Sequence, residues 1–242
     1  MGFLFNPWGI ILQVLAIVHF IRRRPDTYWL FIIVFLGPLG ALIYIFMEVV
    51  PDLGLLRHSF DAFPRRKRIR LLEGLVLENP AAGNYEELGD LYLDEGQYAR
   101  ARECYDKAIQ SRADLPDAFY RRGIAKIELG DFPGAVLDLE HVVARDRKYD
   151  SNRAAGLLAH AYANTQQPEA AEQLFQEVTD RSTASEIYYN YARFLASQGR
   201  TAEARDWTNR LLAKKATMPG YLRRRERPWF RKANALSKRL AV

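Results

Sequence analysis

The sequence predicts an all-α protein: an α-solenoid of about four helix-turn-helix units with a capping helix at each end, preceded by a two-helix transmembrane hairpin. Three observations lead there. Similar residues return every 34 positions between 82 and 218. Two long apolar stretches lie ahead of residue 57. From Arg65 onward the chain is polar, Ala-rich and dense in helix formers.

The apolar stretches run from Phe3 to Ile21 and from Tyr28 to Val50. A helix needs about 20 apolar residues to cross a hydrocarbon core roughly 30 Å thick. The second stretch meets that length, whereas Asn6, Pro7, Gln13 and His19 interrupt the first. No Lys or Arg precedes the first run, Arg22 to Arg24 follow it, and no small-x-small site appears, which argues against a secretory signal. A tight turn over Arg22 to Thr27 brings both ends of the hairpin to one face. Three arginines in that turn oppose six Lys/Arg in residues 51–70, so the positive-inside rule places the bulk of the chain in the cytosol, at the cytoplasmic membrane. The segment 58–81 then reads as a basic juxtamembrane stretch and N-terminal cap, with Arg65, Arg66, Lys67, Arg68 and Arg70 at the membrane surface. Pro38, between Gly37 and Gly40, is expected to kink the second helix. His19 and Glu48 are the ionisable groups near the apolar runs, and Glu48 lies close enough to a helix end to reach headgroups.

In RRRPDTYWLFIIVFLGPLGALIYIFMEV a basic turn leads through Tyr28 and Trp29 into an apolar helix bearing Pro38, Gly40 and Tyr44. This resembles the N-terminal membrane segment of cardiolipin synthases and other phospholipase-D-superfamily membrane enzymes, over about 40 residues. The His-x-Lys-x4-Asp signature of those enzymes is missing, since none of His19, His58, His141 and His160 has Lys two residues later. The resemblance therefore implies an anchor without its enzyme. It also raises a second reading, a non-catalytic accessory subunit of a lipid-modifying membrane enzyme.

The repeat divides into 82–115, 116–149, 152–185 and 185–218, with two extra residues before the third unit. The first unit carries Tyr85, Leu88, Gly89, Tyr92, Gly96, Ala101, Tyr105 and Ala108. Phe119, Gly123, Gly130, Phe132, Ala135, Leu139 and Val142 take corresponding slots in the second. Leu158, Ala159, Tyr162, Ala171, Phe175 and Val178 follow in the third, and Tyr188, Tyr191, Ala192, Leu195, Gly199, Ala204 and Leu211 in the fourth. The pattern resembles the tetratricopeptide repeat closely, a resemblance that implies a right-handed solenoid. Small residues at paired slots let two short helices approach, aromatics fill the gaps between units, and Pro116 and Pro133 suit first helical turns. Upstream, Ile69, Leu72, Leu75 and Val76 form the apolar face of a cap. In 219–242, Tyr221 to Leu240 reads as a basic amphipathic cap offering Trp229, Phe230, Ala233, Leu236 and Leu240.

Charge and cysteine content narrow the function. Residues 71–213 hold 16 Lys/Arg against 24 Asp/Glu, a net −8, whereas 214–242 hold ten Lys/Arg against Glu226 alone. A nucleic-acid-binding body needs a continuous basic face to displace counterions, and this one has none. Basic flanks around an acidic middle suit a membrane with anionic headgroups. Cys104, the single cysteine, is expected to be a buried thiol and excludes an intramolecular disulfide framework. No phosphate loop, nucleophile elbow or spaced metal cluster occurs, so the chain reads as a binding protein without cofactor or catalysis.

The resemblance to tetratricopeptide arrays implies a protein or peptide ligand on the concave face made by the first helix of each unit. The corresponding slots are Glu86, Asp90 and Leu93, then Tyr120, Ile124, Ile127 and Glu128, then His160 and Asn164, then Tyr189 and Arg193. Glu86 and Asp90 stand where chaperone-binding arrays need Lys and Asn, so a carboxylate clamp is not expected. The acidic slots favour a basic ligand, with Tyr120, Ile124, Ile127 and Tyr189 in apolar contact.

Overall fold

The computed structural model describes residues 7–23, 28–45, 47 and 57–240, and the chain forms two compact units, Met1–Lys67 and Arg68–Val242. In the first, α1 (Pro7–Arg23) packs against α2 (Tyr28–Phe35) and α3 (Gly37–Tyr44). The single span expected over 28–50 is thus broken, its described part forming two eight-residue helices. Among the described residues no helix is long and apolar enough to cross a membrane. Residues 3–6, the turn residues 24–27 and Glu48 lie outside the described residues.

The kink expected at Pro38 is a full break. The chain leaves α2 at Leu36 and enters α3 through Gly37, whose φ of 58° suits a residue without Cβ. Pro38 sits in the first turn of α3, where a missing amide is harmless. A break leaves the last carbonyls of α2 without helical partners. Gln13 of α1 compensates by donating from Nε2 to the Ile33 carbonyl at 3.1 Å. Trp29, Ile33 and Tyr44 are buried between the helices, and His19 Nδ1 lies 2.9 Å from the Tyr44 hydroxyl. Ile11, Leu15, Phe31, Val34 and Leu39 point outward, so the unit has an apolar exterior around an apolar core into which Gln13 and His19 also bond.

Helix α4 (Arg57–Glu78) leads into the second unit. Its Ile69 and Leu72 are buried, with Leu75 and Val76 packed beside them against the first core. Four antiparallel pairs follow: α5 (Ala82–Asp94) with α6 (Tyr98–Ser111), α7 (Pro116–Glu128) with α8 (Phe132–Arg145), α9 (Arg153–Ala163) with α10 (Pro168–Arg181), and α11 (Ser185–Ser197) with α12 (Thr201–Thr217). Small residues set the pair spacing. A Cβ on Gly89 would lie 2.8 Å from the Tyr105 ring, and Ala101, Ala135, Ala171 and Ala204 are fully buried on the second helices. Asp131 caps α8 by accepting from the Gly134 amide at 3.0 Å.

Two cores run along the array. One joins α4 to the first pair and the near side of α7, and includes Cys104, buried as expected with its thiol pushed up to about 11 by desolvation. The other joins α7 to α12 through Tyr120, Leu139, Phe175 and Leu195. The two extra residues before the third pair produce a run of left-handed backbone, with φ of 48°, 56° and 67° at Asp150, Ser151 and Asn152. The expected C-terminal helix is two helices, α13 (Gly220–Arg225) and α14 (Arg227–Leu240), because Pro228 has no amide to continue the first. Phe230 and Ala233 of α14 are buried with Leu211 of α12, which seals the last pair.

Candidate functional site

First helices of neighbouring pairs approach one another more closely than second helices do, so α5, α7, α9 and α11 line the inner side of the array. Each inner slot recurs at about the repeat length along these helices. Their environments differ.

The first half is acidic. Asp90 accepts a hydrogen bond from the Tyr105 hydroxyl at 2.7 Å and pairs with Arg121 Nε at 3.2 Å. Desolvation raises its carboxyl above the usual range, as it does that of Glu86, which also feels Asp117 and Asp90. Leu93, Ile124 and Ile127 are half-buried along the cores, and Glu128 is exposed.

Tyr120 departs from expectation. It presents no free ring to a ligand: it is 5% exposed and belongs to the core. Its hydroxyl donates to Asp150 and accepts from Arg153 Nη1 at 3.1 Å, and its ring meets Tyr149 edge-on at 5.1 Å. Tyr149 in turn donates to Asp117, and Arg153 Nε bonds Glu186 at 2.7 Å. This network ties α7, α9 and α11 together across the inner face. Asp117, Arg153 and Glu186 were not among the expected site residues, yet each occupies the same slot, three residues ahead of Tyr120, Gly156 and Tyr189. That i, i+3 relation is the signal that points to them.

The second half is cationic and aromatic. Tyr189 packs beside Trp229 at 5.8 Å, Lys232 Nζ lies 4.2 Å over the Trp229 ring, and Arg193 is exposed. Asn164 folds back to donate to the His160 carbonyl at 2.7 Å. His160 is buried, edge-on to Phe132, and burial together with Arg193 and Lys232 lowers its pKa to about 4. The imidazole is therefore neutral in the folded chain, while the unfolded chain takes up its proton near 6.5. Folding stability should fall as pH drops from about 6.5 through 4, by about 3 kcal/mol in full. Urea unfolding of the wild type and His160→Leu at neutral and acid pH checks this, because the variant should lose that share of the pH dependence.

The five cations expected at a membrane surface ride on α4, and one of them is engaged elsewhere. Arg68 forms a bidentate pair with Glu87 of α5 at 2.6 and 2.8 Å, so it serves the solenoid. Arg66, Lys67 and Arg70 are exposed, and Arg65 is half-buried. A second concavity, about 440 Å³, lies between α8 and α10 over Leu158. Its rim groups are satisfied by one another, Arg147 by Glu177 and Tyr162 by Glu140, which leaves the inner face as the better-equipped surface.

Family profiles described as TPR repeat and tetratricopeptide repeat match residues 89–130 and residues 120–185 and 157–219, together more than half of the chain. The chain is a tetratricopeptide repeat protein. Solved structures agree on the fold of this TPR protein. MamA 41-end from Desulfovibrio magneticus RS-1 superposes with a TM-score of 0.59 at 18% identity, covering 72% of this chain and 98% of that one. YrrB, a TPR protein with an unusual peptide-binding site, gives 0.54 at 17% identity over 69% of this chain and 86% of its own. A tetratricopeptide repeat protein from Parabacteroides merdae ATCC 43184 gives 0.55 at 18% identity, with 76% and 72% covered. None of the curated proteins matches the chain.

Proposed function

We propose that this TPR protein is a membrane-anchored scaffold that holds a protein or peptide partner along its inner face, on the cytosolic side of the cytoplasmic membrane. The observation that carries the reading is the prearranged inner surface, in which the Tyr120 network fixes three first helices and leaves acidic groups at one end and cations at the other. YrrB, with its peptide-binding site on the same fold, supports it by analogy. A basic stretch of partner would lie toward Glu86, Asp90 and Asp117. The exposed aliphatic exterior of α1 to α3, with Gln13 and His19 hydrogen-bonded within the unit, supports anchoring, because in lipid the polar groups must be satisfied internally.

The test uses the full chain in its native membranes with crosslinking to captured partners. Glu86→Lys combined with Glu128→Lys should weaken capture about 30-fold, the loss of roughly 2 kcal/mol expected at a hot spot, while the helical content is retained. Tyr120→Ala is unsuitable as a probe, since it would disrupt the network. Unchanged capture by the double variant would remove the inner face as the binding site. Release of the chain by alkaline carbonate would remove the anchor, and partners held by α1 to α3 in place of the array would favour an accessory role beside a lipid-modifying enzyme.

A further inference from the structure

We propose that the outer face of the cap formed by α13 and α14 docks on anionic phospholipid headgroups. The inference rests on the membrane-associated reading for the presence of a bilayer, and not on what the inner face holds.

Helix α14 spends one side on the array, where Phe230 and Ala233 are buried against Leu211. Trp229 and Lys232 turn toward Tyr189. Arg231, Ala235 and Lys238, at i, i+4 and i+7, are all exposed and define the opposite stripe. Helix α13 adds Arg223, Arg224 and Arg225, three consecutive exposed arginines, beside Tyr221, which is 74% exposed. The neighbouring acid is Glu226, 3.7 Å from Arg225 Nε. Exposed cations therefore stand on both helices of the cap, with one exposed aromatic.

Its chemistry selects among anionic partners. A protein interface needs a desolvated apolar centre, and apart from Tyr221 this stripe offers no side chain larger than Ala235 between its charges. Single-stranded nucleic acid needs aromatic platforms for its bases, and Trp229 is already covered by Tyr189 and Lys232. Headgroups need neither: a laterally mobile anionic surface meets flexible cations wherever they project, and tyrosine favours that boundary. The array behind the cap carries −8 over residues 71–213, so an anionic bilayer repels the body and attracts the cap.

The test labels Ala235→Cys in the full chain with a fluorophore, Cys104 being shielded by burial, and reads energy transfer to labelled lipid in floated vesicles. Vesicles are phosphatidylcholine alone or mixed with phosphatidylglycerol. Transfer should rise with the anionic lipid and fall when salt goes from about 0.1 M to 1 M, which shortens screening from roughly 10 Å to 3 Å. Each cation at such a surface is worth about five-fold, so replacing Arg223, Arg231 and Lys238 with Gln should lower the docked fraction ratio roughly a hundred-fold, whereas exchanging Arg223 and Arg231 for Lys should preserve it. If the chain floats with both vesicles but transfer ignores anionic lipid or the Gln substitutions, the proposal is overturned and the anchor stands. Flotation with anionic vesicles alone, reversed by salt and by the Gln variant, upholds the docking face and removes the anchor. Flotation with neither overturns both. Binding of polyglutamate or RNA to the labelled face under conditions where anionic vesicles give no transfer would assign it to an acidic protein or nucleic acid and also overturn the proposal.

Discussion

Asp138→Ala is expected to destabilise the array by about 3–5 kcal/mol, read as a lowered urea midpoint for the second unit's unfolding. Asp138 is 3% exposed and lies on α8 facing α7, where it accepts from Arg122 Nε and Nη2 at 2.9 and 2.6 Å and pairs with Lys126 Nζ at 2.8 Å. Removing the carboxylate strands two cations that are themselves mostly shielded. Arg122 keeps Asp106 at 2.7 Å, but Lys126 retains only the Gly134 carbonyl at 3.1 Å among the contacts seen here. The cost is that of unpaired buried charge and not the net worth of the bridge. A triple variant with Arg122→Met, Lys126→Met and Asp138→Leu should accordingly recover most of the loss. If Asp138→Ala unfolds like the wild type, the network is ornamental.

Phe175→Ala is expected to cost about 3–5 kcal/mol and to loosen the fourth pair from the third. The Phe175 ring is fully buried on α10, stacked on Tyr191 at 5.1 Å and tilted against Phe194 at 5.8 Å, both on α11. Repeat arrays owe their cooperativity to such interfaces, because each pair alone buries too little. Hydrogen exchange should therefore show α11 and α12 losing protection more than α5 and α6. Equal loss throughout would mean that the array unfolds as one block regardless of where it is weakened. Phe175→Leu, which leaves a smaller cavity, should cost less and keep the same pattern.

The parts of the fold that were legible in the sequence are those in which one residue has one neighbour fixed by the repeat. Gly89 against Tyr105, the buried alanines of the second helices, and the Ile69 and Leu72 face of α4 follow from spacing alone. Tyr120 was not legible as a core residue. Its partners Tyr149 and Asp150 lie about 30 residues downstream, in a turn that the two extra residues throw into left-handed backbone, and no periodic slot encodes that geometry. Similarly, hydropathy reports Tyr28 to Val50 as one apolar run, because it weighs side chains and ignores the backbone demand of Leu36, Gly37 and Pro38. Arg68 read as a surface cation because a charge count has no access to the position of Glu87 one helix away. The acidic half of the inner face was visible in Glu86 and Asp90, whereas the cationic half depends on α14 folding back beside Tyr189, a tertiary placement.

Helix α7 is a wall shared by both cores, closing one with Ala118 and Ala125 and the other with Tyr120. Under tension applied along the array, that arrangement makes α7 a seam between two blocks. Arg121 to Asp90 and Arg122 to Asp106 are the stitches across it. A ligand laid over α5, α7 and α9 would act as a splint, bearing part of the load that the stitches carry. Linkage then requires reciprocity: whatever free energy the splint adds against stretching, stretching must subtract from the grip on the ligand.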